Sequence, residues 1–178
     1  EDSRSAVPVG LHLVFTGNPG TGKTTVARLV ADLYRTLGLL PRGHLVEVQR
    51  ADLVGGYVGQ TALKVQQTVK SAMGGILFID EAYSLASRDD FGSEAVSTLV
   101  KMMEDHRDKL SVIVAGYKQE MEYFISSNTG LRSRFQRYIS FRDYEPFELT
   151  DIFALECKQH KIKLSPEIRD ELLKLFSN

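Results

Sequence analysis

Gly17-Asn18-Pro19-Gly20-Thr21-Gly22-Lys23-Thr24 is the stretch that decides the fold, and the apolar run Leu11 to Phe15 leads directly into it. It has the form G-x-x-x-x-G-K-[ST]. In such a loop successive backbone N–H groups converge on the α- and β-phosphates of a nucleotide, and glycine is needed where the chain turns tightly or phosphate comes close. Lys23 is placed to reach the β- and γ-phosphates, and the Thr24 hydroxyl to ligate Mg²⁺. Four fixed positions of this kind arise by chance less than about once in a hundred chains of this length. The context agrees: a strand signal precedes the loop, and Val26, Leu29, Val30, Leu33 and Leu37 follow it at helical spacing. A glycine-rich turn without a ligand is the competing explanation, and it does not account for that context.

Outward from the loop, the chain alternates strand and helix signals. Leu11 to Thr16 reads as a strand, followed by the loop and a helix to about Leu37, which Gly38 and Pro41 stop. His44 to Gln49 is a second strand, Ala51 to Thr61 a glycine-rich stretch, and Ala62 to Ala72 a helix. Ile76-Leu77-Phe78-Ile79 is a continuous apolar run of the kind a strand buried on both faces shows. Ser87 to Gly92 reads as a polar loop, with Ser93 and Glu94 opening a helix to about Glu104. Leu110 to Ala115 is a further buried strand, Gln119 to Ile125 a short helix, Ser126 to Gly130 a loop and Arg137 to Phe141 a last strand. Pro146 begins a helix to about His160, and Ser165-Pro166-Glu167 caps a final one. The alternation predicts an α/β fold, a five-stranded parallel sheet sandwiched by helices and joined by right-handed crossovers. Residues 1–144 form its nucleotide-binding part, and 145–178 the start of a small helical subdomain.

The 178 residues suit one buried core with a small appendage. A net charge of −1 supplies no global field toward nucleic acid or an anionic membrane, and no local basic patch stands out, so neither partner is expected. Cys157, the only cysteine, reads as a small buried apolar residue in a reducing compartment. His12, His44, His106 and His160 have no ligand spacing, so no metal beyond nucleotide Mg²⁺ is expected. Without a signal peptide or a membrane-spanning apolar run, the expected location is cytoplasmic.

Asp80 ends a buried strand. Ligands in open α/β sheets sit at the carboxyl ends of the strands, so its carboxylate would face the Mg²⁺ of a nucleotide held by the loop. One acidic group serves the metal; Glu81 beside it can accept a proton from, or orient, the water that attacks the γ-phosphate. The competing explanation for both is an ordinary acidic helix start. The pair favours hydrolysis over phosphoryl transfer to a substrate, the chemistry of a monomeric kinase.

These motifs together carry a family resemblance. The loop Gly17 to Thr24, the Tyr57-Val58-Gly59 loop, the run Ile76 to Glu81 and Gly130-Leu131-Arg132-Ser133-Arg134-Phe135 resemble, in this order and spacing, an AAA+ ATPase. Gly75 to Tyr83 and Val114-Ala115-Gly116-Tyr117 narrow the resemblance to the CbxX/CfqX group, which includes CbbX-type Rubisco activases and the stage V sporulation protein K and EccA types. It covers nearly the whole chain. It implies ATP and Mg²⁺ as ligands, with Gly17, Asn18, Pro19, Gly20, Thr21, Gly22, Lys23, Thr24 and Thr25 around the nucleotide and Thr24 and Asp80 on the metal.

The resemblance further implies that Lys23 and Glu81 act in catalysis with Arg134, an arginine finger reaching the γ-phosphate of a neighbouring subunit, and Arg132 as its helper. Surface arginines are the plainer alternative. Tyr57, between glycines, belongs to a loop too small to pack a core. By resemblance Tyr57, Val58 and Gly59 line the pore of a homo-hexamer and grip an extended protein client. Arg88-Asp89-Asp90-Phe91 is either a second pore loop or an ordinary solvated one. Tyr117 stands where most such ATPases carry a polar sensor, usually asparagine, and could still hydrogen-bond or simply pack. Relative to the family, the chain stops at Asn178 before the usual lid arginine. The implied function is a ring-shaped, ATP-hydrolysing protein remodeller; the alternative is a module that binds nucleotide to assemble, with little or no turnover.

Overall fold

A computed structural model describes residues 10–57, 59–86 and 89–177. The elements run β1 Leu13–Thr16, α1 Lys23–Thr36, β2 Leu45–Val48, α2 Arg50–Leu53, α3 Gln60–Ala72, β3 Ile76–Ile79, a 3-10 turn Ala82–Ala86, α4 Asp90–Asp105, β4 Ser111–Gly116, α5 Lys118–Ser126, α6 Thr129–Arg134, β5 Tyr138–Ser140, α7 Pro146–Gln159 and α8 Pro166–Phe176. The chain forms two compact units, one ending at Phe141 and one beginning at Arg142. Among the described residues no helix is long and apolar enough to cross a membrane.

The first unit is built on a five-stranded sheet, ordered β2-β3-β4-β1-β5, in which every pairing is parallel. Side chains alternate across it, and each face has its own core. Val14, Leu77, Ile79, Val112 and Val114 pack with Val65 and Val69 of α3, Leu99 and Met103 of α4, Phe124 of α5 and Leu131 of α6. Phe15, Ile76, Phe78, Ile113 and Ala115 pack with Ala27 and Ala31 of α1 on the opposite face. The central strands are buried on both sides, which explains their unbroken apolar sequences.

Of the residues whose spacing signals α1, only the two valines turn toward the sheet, and the residues it buries fully are alanines. Ala27 and Ala31 are fully covered, with Val26, Val30 and Tyr34 partly so, while Leu29, Leu33 and Leu37 face solvent. Small side chains on the inner stripe let the helix lie close to the sheet, and that leaves the leucines outside.

Three departures from the sequence expectation are set by helix caps. Helix α4 begins at Asp90, not Ser93, because Asp89 rather than Ser93 is its cap: the Asp89 carboxylate accepts the Gly92 N–H at 2.7 Å. Asp89 is also paired with Arg50 at 2.6 Å, so this part of the supposed loop is structural; Arg88 lies outside the described residues. Asn128 caps a helix within the expected loop Ser126 to Gly130, accepting from Gly130 and Leu131, and this helix, α6, carries Arg132 and Arg134. The four-residue α2 is closed by reciprocal hydrogen bonds between Gln49 and Asp52.

The second unit is the pair α7 and α8. Glu145 and Glu148 form a reciprocal cap at the start of α7, and Glu148 also receives both terminal nitrogens of Arg142 at 2.7 Å. The arginine hydrogen bonds hold the Glu148 carboxyl below its ordinary range. Ser165 caps α8, as its sequence position predicts, and Cys157 is buried.

Candidate active site

The carboxyl ends of β1, β3 and β4 open into one cleft of about 360 Å³, lined by Gly17, Pro19, Gly20, Gly22, Lys23, Thr24, Thr25, Asp80, Glu81, Tyr83, Gly116 and Tyr117. The loop after β1 is tied to the end of β4 by the Gly17 N–H, which donates to the Gly116 carbonyl at 3.1 Å. The Thr21 hydroxyl braces it from within by donating to the Asn18 carbonyl at 2.8 Å. Gly17 sits so close to β5 that a Cβ there would collide with the Phe141 carbonyl, whereas Gly20 has open space around it but a φ of +77°. Packing demands the first glycine and backbone conformation the second.

Lys23 opens α1 and turns its ammonium onto its own loop, donating to the carbonyls of Gly17 at 2.9 Å and Asn18 at 2.6 Å. Burial lowers its pKa from the ordinary lysine value, and the nearby Asp80 charge opposes the shift. Asp80 continues β3, donating its N–H to Val48 at 2.9 Å, and its Oδ1 accepts the Glu81 N–H at 3.0 Å. Glu81 is exposed and has a φ of +47°, a left-handed conformation that costs a non-glycine residue of order 1 kcal/mol or more. Such backbone strain clusters at functional sites. The oxygen donors of Thr24 and Asp80 in one cleft fit a hard cation such as Mg²⁺.

Of the residues expected around a nucleotide, all but Asn18 and Thr21 line this cleft, and those two brace the loop behind it. Tyr83 lines it too, its ring 6.0 Å from that of Tyr117. Burial, then the Glu81 charge, raises the Tyr83 pKa. In the sequence it stands only as the last residue of the Gly75 to Tyr83 run that narrows the resemblance, with no role in the site. Arg134 is elsewhere. It lines a different cleft with Leu11, His12 and Glu104, donating to Glu104 at 2.8 Å and to the Gly130 carbonyl at 3.1 Å. Arg132 is exposed and donates to the Ser126 carbonyl at 3.3 Å.

Tyr57 is 75% exposed at the tip of its loop, while the loop's base is fastened. The Gly55 N–H donates to the buried Thr61 hydroxyl at 3.0 Å, and the Lys64 ammonium to the carbonyls of Ala51 and Val54. Gly59, at φ +82°, caps α3; Val58 lies outside the described residues.

The model of the ATPase family associated with various cellular activities (AAA) matches residues 13–143. The chain belongs to the AAA ATPase family. Two curated relatives agree with this and with a CbxX/CfqX-type member: the chloroplastic ribulose bisphosphate carboxylase/oxygenase activase of Cyanidioschyzon merolae, 50% identical over 161 residues, and stage V sporulation protein K of Bacillus subtilis, 52% identical over 159. These alignments cover 89% and 88% of this chain but 55% and 49% of the relatives, so the chain spans about half the length of the curated relatives it matches. The crystal structure of the FIGL-1 AAA domain in complex with ADP superimposes with a TM-score of 0.67 at 21% identity, over 93% of this chain and 55% of that one, and shares its fold.

Proposed function

We propose that this AAA domain binds ATP with Mg²⁺ in the cleft beneath β1, β3 and β4, hydrolyses it, and uses the cycle to remodel a protein client within a homo-hexameric ring. The observation that carries the reading is the convergence of Lys23, Thr24, Asp80 and Glu81 on one cleft while Arg134 points into another. On this reading Lys23 exchanges the carbonyls of Gly17 and Asn18 for phosphate oxygens, and the loop's N–H groups take the rest of the triphosphate. Thr24 and Asp80 hold Mg²⁺, which offsets the charge that builds on the phosphates. Glu81 draws the proton from a water whose oxygen bonds to the γ-phosphorus, and the bond from that phosphorus to the β–γ bridging oxygen breaks to release ADP.

Arg134 lies outside its own subunit's cleft, which supports service to a neighbour's: its guanidinium would donate to the equatorial oxygens of the transferring phosphoryl group. Arg132, on the same short helix, would support it. Tyr57, with Val58 and Gly59, is the client-gripping loop, consistent with an exposed aromatic tip on a fastened base. One relative's name describes an activase of Rubisco; for this chain the proposed client is a protein, defined no further.

The test is Glu81→Gln, assayed for nucleotide binding and for steady-state hydrolysis across a wide range of protein concentration. The variant should keep ATP bound and lose turnover by about 10²- to 10⁴-fold. Wild-type specific activity should climb with concentration and then level off. Turnover unchanged in the variant would remove Glu81 as the base, and a flat wild-type rate would remove the neighbour's arginine.

A further inference from the structure

Glu47 has no part in the reading above, yet it touches the site. It lies on β2 in register with Phe78 of β3, the strand that leads into Asp80. Its carboxylate bridges two residues of α1: Oε1 accepts the Thr24 hydroxyl at 3.4 Å, and Oε2 accepts from the Arg28 guanidinium at 3.2 Å. The Arg28 and Glu47 side chains are 62% and 42% exposed, and an ion pair so exposed contributes about 0–1 kcal/mol, too little for stability to account for the arrangement.

The bridge does, however, orient the one hydroxyl expected to hold a cation. A threonine hydroxyl has a single O–H and two acceptor lone pairs. Giving the O–H to Glu47 leaves both lone pairs available to a metal, and the negative carboxylate on the far side of that O–H makes the oxygen a better donor of them. Arg28, one helical turn after Thr24, holds the carboxylate in reach. This is the arrangement in which an outer carboxylate sets the direction and strength of an inner ligand.

We propose that Glu47 is a positioning residue for the nucleotide's Mg²⁺, acting through Thr24 and anchored by Arg28. The inference rests on the Mg²⁺–nucleotide reading of the cleft and adds to it a carboxylate that belongs to neither the phosphate loop nor the Asp80-Glu81 pair. Outer-sphere partners of this type change metal affinity by about 10- to 100-fold when removed.

The experiment measures binding of a fluorescently labelled ATP to the 178-residue chain by anisotropy, first in EDTA and then as Mg²⁺ is added at fixed nucleotide. Glu47→Gln should bind the nucleotide in EDTA at least as well as wild type, because a negative charge near the phosphates has gone. Its Mg²⁺ midpoint should rise about tenfold. Arg28→Gln, which keeps the carboxylate but removes its anchor, should move the midpoint the same way by a smaller factor. Thermal unfolding without nucleotide checks each variant's fold, and R28Q carries the test if E47Q unfolds early. An E47Q midpoint within twofold of wild type, or an equal loss of affinity in EDTA, would overturn the role of Glu47 alone. Wild-type binding that ignores Mg²⁺ would overturn the metal site together with it.

Discussion

Lowering the pH from 7 to 5 should destabilise the sheet unit through His12. The residue is 7% exposed, its Nδ1 accepts the Val112 N–H at 3.0 Å, and its ring lies against Phe135 with centroids 5.8 Å apart. Burial first, and the Arg134 charge second, lower its pKa from 6.5 to about 4. The unfolded chain binds a proton at the usual value, so between those limits it takes up a proton that the folded chain refuses. Because the folded value is the depressed one, the contribution is complete above about pH 6.5 and is lost as pH falls toward 4. A window of about 2.5 pH units corresponds to about 3 kcal/mol in total, of which about 2 kcal/mol disappears between pH 7 and 5. For a domain whose whole stability is about 5–15 kcal/mol, that is readily measured. The assay is urea unfolding, followed by circular dichroism at pH 7, 6 and 5, of wild type and His12→Asn. Asparagine keeps an acceptor oxygen close to the place of Nδ1 without titrating. Wild type should lose about 2 kcal/mol more than the variant across the range; parallel losses would refute the assignment of a buried, neutral His12.

Arg134→Ala should lower specific ATP hydrolysis by about 10³-fold or more, and mixing it with Glu81→Gln should restore part of the rate, because the mixed ring pairs an intact cleft with an intact finger. Mixtures no more active than their parts would rule out service in trans. Thr61→Val should cost about 1–3 kcal/mol by chemical denaturation, since the Gly55 N–H loses its partner in a buried setting. Amide exchange at Gly55 should quicken, and unchanged exchange would show that the Tyr57 loop is fastened some other way.

The parallel sheet and the cleft's loop were legible because their physics is local. Ile76 to Ile79 is apolar at every position because both faces are covered, and the Gly17 to Thr24 motif states its own turns and ligands. The side of α1 that meets the sheet was not legible. Hydrophobicity favours Leu29, Leu33 and Leu37, whereas close approach to the sheet favours Ala27 and Ala31, and the choice depends on an interaxial distance that the helix's own sequence does not encode. Asp89 and Asn128 are good capping types, but each competes with other polar residues nearby, and only the tertiary partner of Asp89, Arg50, decides the first case. Glu47 was invisible for a further reason: one carboxylate on an edge strand carries no spacing signal, and its relation to Thr24 exists only once β2 and α1 are brought together.

Gly17 also bears on what becomes of this domain under relaxed selection. Its lack of a side chain is enforced by the Phe141 carbonyl, an internal neighbour, rather than by anything the cleft holds. A descendant that had abandoned nucleotide altogether would go on needing that glycine to keep β5 seated beside β1. Lys23 and Thr24 are under no such obligation, because their partners are polar groups that water can replace. Among degenerate copies of this domain, a surviving first glycine is therefore evidence of an intact sheet, while loss of the lysine and threonine is what would mark the end of its chemistry.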